Sequence, residues 1–111
     1  MIVNPANERL QHNGGAARAI AIAAGKELED ECEKIIRQNG TLRTSDLIHT
    51  TSGKLSPPIR YVLHAVGPYL TRERTIEECE QLLKKIFNNC LMYANSKLDA
   101  KSIAIPAISS G

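Results

Sequence analysis

The chain has no tryptophan, one phenylalanine and three tyrosines in 111 residues, so its core has to be built from aliphatic side chains. Its three cysteines, Cys32, Cys79 and Cys90, are odd in number and lack C-x-x-C spacing. They do not fall at i, i+4 with His12, His49 or His64, nor do the histidines with one another, which predicts no metal site. Buried thiols in a reducing compartment fit the pattern instead. No signal peptide and no apolar run of roughly 20 residues is present, so the expectation is a cytoplasmic or nuclear protein without a membrane role. Fourteen basic against twelve acidic residues leave +2, too mild and too scattered to predict nucleic-acid binding. Neither G-x-G-x-x-G nor G-x-x-x-x-G-K-S/T occurs, so a dinucleotide fold and a P-loop both lack their signatures.

What is present alternates. Met1-Ile2-Val3 reads as a strand. The Ala and Ile run from Ala16 to Ala24 reads as a closely packed helix ended by Gly25. Lys26 to Asn39 follows as a second helix, with Leu28, Cys32, Ile35 and Ile36 at i, i+4, i+7 and i+8 and Gly40 as its stop. Leu47 to Thr51 reads as a strand, with Gly53 and Pro57-Pro58 in the connection after it. Arg60 to Val66 is nearly continuous in apolar residues, the look of a strand covered on both faces. Thr75 and Glu78 form a T-x-x-E capping box ahead of a long helix whose apolar positions run from Ile76 through Ile86, Phe87 and Leu91 to Ala94. Ser102 to Ile105 is the last predicted strand, with Pro106 at its exit. The alternation predicts an α/β layered fold with a mixed sheet in one domain, 1–111.

Two strand-to-turn junctions hold the residues suited to binding chemistry. After Val3, Asn4 and Asn7 offer amide donors and acceptors, and Gly14-Gly15 open the helix at Ala16. Such a glycine pair lets backbone N–H groups converge on phosphate oxygens at a helix N-terminus. After Ile108, Ser109, Ser110 and Gly111 make a second small-residue turn. On one sheet the two turns would face each other across a cleft beyond the strand ends, suited to an anionic, hydroxyl-rich ligand. Spacing alone leaves the plainer alternative open, in which the asparagines serve as turn and cap residues and the glycines permit a tight loop.

The segments Ile2-Val3-Asn4-Pro5-Ala6-Asn7, Leu10-Gln11-His12-Asn13-Gly14-Gly15-Ala16, His64-Ala65-Val66-Gly67-Pro68 and Ile105-Pro106-Ala107-Ile108-Ser109-Ser110-Gly111 resemble, in order and spacing, the macrodomain family. The nearest likeness is to macrodomains fused to ADP-ribosyltransferases. The resemblance implies a three-layer α/β/α fold that binds ADP-ribose or mono-ADP-ribosylated proteins and needs no cofactor, as one part of a larger multidomain ADP-ribosyltransferase. It implies ligand contacts at Asn4, Ala6, Asn7, His12, Gly14, Gly15, Ala16, Ser109, Ser110 and Gly111. A mono-ADP-ribosyl hydrolase, with Asn7 as the catalytic residue, and a non-binding scaffold are the alternatives it leaves. Against the family pattern, Pro5 replaces a usual alanine, Asn13 the first of three glycines, and Ala17 an aspartate found in one hydrolytic branch. The chain also reads as a partial macrodomain, without upstream strands that hold adenine or the later strand and helix.

Overall fold

The computed structural model describes residues 1–68, 74–98 and 100–106. In chain order the elements are β1 (Ile2–Ala6), α1 (Gly15–Ala24), α2 (Lys26–Asn39), β2 (Leu47–Thr51), a 3-10 turn (Gly53–Leu55), β3 (Tyr61–Val66) and α3 (Ile76–Ser96). β3 lies in the middle of the sheet, parallel to β1 and antiparallel to β2. The mixed sheet and the α/β order are those the sequence predicts. No described helix is long and apolar enough to cross a membrane.

Alternation along the strands divides the core in two. Ala6, Val62 and Val66 pack with Ile20, Ala21 and Ala24 of α1 and Leu28 and Cys32 of α2. Val3, Leu63 and Ala65 face the other way, onto Ile86 and Cys90 of α3. Helices therefore cover both faces, giving three layers. This is why β3 reads as an unbroken apolar run: Val62 to Val66 are all buried, on alternating sides.

The helix ends follow their local chemistry. Gly40, at φ 78°, closes α2 by donating its N–H to the Ile36 carbonyl at 2.8 Å. The Thr75 hydroxyl oxygen accepts the Glu78 N–H at 3.1 Å, the first half of a capping box. On α3 the buried stripe is narrower than its apolar pattern: Cys79, Ile86, Cys90 and Ala94 are buried, while Phe87 and Leu91 are 47% and 40% exposed.

The segment predicted as a strand over 102–105 forms a single parallel bridge, Ile2 opposite Ala104. Val3 N–H donates to the Ala104 carbonyl at 2.8 Å, and Ala104 N–H to the Met1 carbonyl at 2.9 Å. By the parallel ladder's geometry, the next bridge would pair Asn4 with Pro106 and draw its donors from the nitrogens of Pro106 and Pro5. Neither nitrogen carries a hydrogen. Two prolines thus stop the ladder where a strand would have continued, and Pro5 sits in β1 without orphaning a carbonyl of β3, since its nitrogen faces the other way.

Gly53 sits at φ 53° against the end of α1, where an added Cβ would collide with the Ala24 carbonyl oxygen. Gly53→Ala should cost about 2–5 kcal/mol, the sum of a left-handed backbone and overpacking. Urea denaturation of the two proteins measures it, and a change below 1 kcal/mol would contradict the packing described.

Candidate functional site

A polar stripe crosses the α1/α2 face of the sheet. Asn4 of β1 lies opposite His64 of β3 in the parallel register, and Thr50 of β2 is diagonal to it. All three are fully buried. The amide nitrogen of Asn4 lies 2.8 Å from His64 Nδ1, and His64 Nε2 lies 2.9 Å from Thr50 Oγ1. The same amide nitrogen reaches His12 Nδ1 at 3.4 Å. Two atoms of this set are shielded from solvent and lack a hydrogen-bond partner: Asn4 Oδ1 and His12 Nε2. Buried polar atoms of that kind are uncommon and call for an explanation.

Asn4 is therefore not a turn residue, as its place after a strand read as ending at Val3 suggests, but a strand residue within the core. Asn7 is the turn residue. Its Oδ1 accepts the N–H groups of Arg9 and Gln11 at 3.1 and 2.9 Å, and its Nδ2 donates to the Gln11 carbonyl at 2.9 Å. This clamp holds Leu10 at φ 52° with its side chain in the core. A left-handed non-glycine residue costs roughly 1–2 kcal/mol, offset here by the clamp's hydrogen bonds and by burial of the leucine. One amide hydrogen of Asn7 takes no part in the clamp.

Gly14 has extended backbone (φ −172°), and only Gly15, at φ 59°, uses the left-handed freedom that both glycines possess. The turn, with Asn13 and Ala16, is exposed. α1 has no acidic residue in its first turn, so its N-terminal partial charge is not neutralised within the helix. Ala6, at the end of β1, is buried in the core beneath the turn. Because β1 and β3 are parallel, their C-terminal ends share one edge of the sheet, and the 102–106 segment runs the same way. Ser109, Ser110 and Gly111 lie outside the described residues.

His12 is half-buried and joins this site to a cavity of about 680 Å³ between its own loop and α2, lined by Arg9, Glu29, Glu33 and Arg37 among others. Burial lowers its pKa, against the pull of Glu29. His64 is pushed from 6.5 to about 3, first by burial and then by His12 and His49. His12, Cys32 and His64 each bring one ligand-type atom within 4.8 Å of the others, a meeting of three separate elements that spacing in sequence does not reveal. Burial, with Glu31 and Glu29, raises the Cys32 thiol to about 12. Within the trio, Cys32 Sγ lies 3.8 Å from His64 Nε2, and His12 is joined to His64 through the Asn4 amide.

A three-layer α/β/α fold with a glycine turn at the sheet edge and a buried asparagine beneath it defines a macrodomain architecture. The Macro domain family model matches residues 3–111, and the chain belongs to that family. It is 40% identical over 111 residues to the human protein mono-ADP-ribosyltransferase PARP14, covering all of this chain and 6% of that protein. It is 43% identical over 111 residues to the O-acetyl-ADP-ribose deacetylase of Escherichia fergusonii, covering all of this chain and 60% of the relative. Among solved structures, the Oceanobacillus iheyensis macrodomain with ADP matches at a TM-score of 0.84 and 36% identity, over 99% of this chain and 57% of that one. The Trypanosoma brucei macrodomain in complex with ADP-ribose matches at 0.78 and 32%, over 99% and 41%. The chain thus spans less than two thirds of the length of these relatives.

His64 is neutral when folded and takes a proton near pH 6.5 when unfolded. Its contribution to stability is complete above pH 6.5 and is lost as pH falls toward 3, at about 1.4 kcal/mol per pH unit. Denaturant unfolding at pH 7 and pH 5 should show this slope, much reduced in His64→Gln. An equal slope in both proteins would refute the assignment.

Proposed function

We propose that this chain binds ADP-ribose, free or attached to a protein. The observation that carries the reading is the opening of α1, where the Gly14–Gly15 turn and an unneutralised helix N-terminus stand at the sheet edge that also holds Asn4 and His12. A helix N-terminus contributes about 0.3–1 kcal/mol per anionic charge when exposed and up to about 2 when partly buried. On this reading Gly14, Gly15 and Ala16 cradle a phosphate, and His12 and Asn7 edge the distal ribose above Asn4 and Ala6. Ser109, Ser110 and Gly111 supply the facing loop. The relatives solved with ADP-ribose and ADP support the choice of ligand.

A hydrolytic activity on the same ligand is the second reading, favoured by the likeness to O-acetyl-ADP-ribose deacetylases. Here the oxygen of a water bonds to the anomeric carbon of the distal ribose, and the bond from that carbon to the modified side-chain carboxylate breaks. The water's proton leaves with the carboxylate, and the free amide hydrogen of Asn7 orients the water or the sugar.

An added Cβ at Gly14 meets nothing within 4 Å, and its backbone is extended, so Gly14→Glu introduces a carboxylate without strain. Titration calorimetry with ADP-ribose should show at least about tenfold weaker binding for this variant, as expected when an anion opposes a phosphate, with Tm unchanged. Equal affinity, or no binding by the unaltered chain, would refute the reading. For hydrolysis, Asn7→Asp keeps the oxygen that accepts from Arg9 and Gln11 and removes both amide hydrogens, the free one and the one given to the Gln11 carbonyl. De-modification of a mono-ADP-ribosylated protein should then be lost, and unchanged turnover would exclude the role given to Asn7.

A further inference from the structure

We propose that His64 and Thr50 are positioning residues that set the tautomer of His12, leaving it as a neutral ring with its hydrogen on Nε2 for a ligand oxygen to accept. The inference rests on the reading of this edge as the ADP-ribose site only for the identity of that oxygen; the tautomer belongs to the free protein.

The single hydroxyl hydrogen of Thr50 is donated to the Thr51 carbonyl at 3.1 Å. Toward His64 Nε2, at 2.9 Å, the Thr50 oxygen can then only accept, so Nε2 carries the hydrogen. A neutral imidazole has one N–H, which leaves His64 Nδ1 bare. That bare nitrogen turns the Asn4 amide so that its NH2, not its oxygen, faces the histidines, at 2.8 Å. An NH2 has two hydrogens. The second points to His12 Nδ1 at 3.4 Å, so that nitrogen is bare in turn. The His12 hydrogen is thereby placed on Nε2, the atom that is shielded from solvent and has no partner in the protein.

The result is a directed relay across β2, β3, β1 and the loop, ending on a donor without an acceptor. The reverse orientation of the Asn4 amide would put hydrogen on both Nδ1 atoms and leave two buried amide hydrogens unmatched, a costlier arrangement than one carbonyl oxygen. The complementary partner for an Nε2–H is an oxygen with a lone pair, which the hydroxyl, ether and phosphate oxygens of a nucleotide sugar all possess.

Two-bond 1H–15N spectra of the free 111-residue chain at pH 7 should show His12 and His64 neutral with hydrogen on Nε2. Thr50→Val keeps the shape and removes the hydroxyl, while Thr50→Ser keeps the hydroxyl. In the valine variant both histidines should lose the single tautomer and ADP-ribose affinity should fall about tenfold, as for one lost hydrogen bond to a charged or buried group; serine should restore both. Hydrogen on His12 Nδ1 in the unaltered chain would overturn the inference. So would a His12 spectrum unmoved by Thr50→Val while that of His64 changes. If the tautomers behave as stated and ADP-ribose does not bind, the relay stands and the proposed function falls.

Discussion

One primary amide with two hydrogens, held between two bare imidazole nitrogens, organises the interior of this protein. Asn4 has no exposure to water, so its hydrogens must find acceptors within the fold, and two histidines from different elements provide them. Leaving such a group unpaired would cost about 1–3 kcal/mol, a large share of a small domain's stability. The pairing therefore fixes which way β1 faces and its register against β3. A slip of one residue would turn Asn4 toward the α3 face, among Leu63, Ala65 and Ile86, and break its contacts with both histidines.

From this anchor the rest of the site follows outward. The strand ends at Ala6, Asn7 clamps the next four residues, Leu10 plugs the core, and His12 is returned toward Asn4. Only then does the chain reach Gly14 and Gly15. The glycine turn thus stands on a short scaffold of hydrogen bonds whose first member is buried, an arrangement that holds an exposed loop in place without covering it.

Much of the fold was legible because its signals are local. Thr75 three residues before Glu78, Gly40 after an amphipathic run and Pro57-Pro58 after a strand each act within one or two turns of chain. The macrodomain motifs placed the glycine turn at the right junction. What escaped was the polar stripe, since His64 is embedded in an apolar run and Asn4 follows a strand read as ending at Val3. Its partners, Thr50 and Cys32, lie 14 and 32 residues from His64. No spacing rule links residues that meet only after the sheet has formed. The last strand was overcalled for a related reason: Ile103 and Ile105 have the right composition, but the ladder's limit is set by which nitrogens carry hydrogen.

That limit has a spatial consequence. Past the Ile2–Ala104 bridge, the carbonyls of Val3 and Pro106 have no amide to meet across the gap, and the two backbones are relieved of any obligation to stay at sheet spacing. The seam comes unzipped at the level of Asn4, one residue pair from the end of β1. The place where this seam ends is thus written into the covalent structure of two rings.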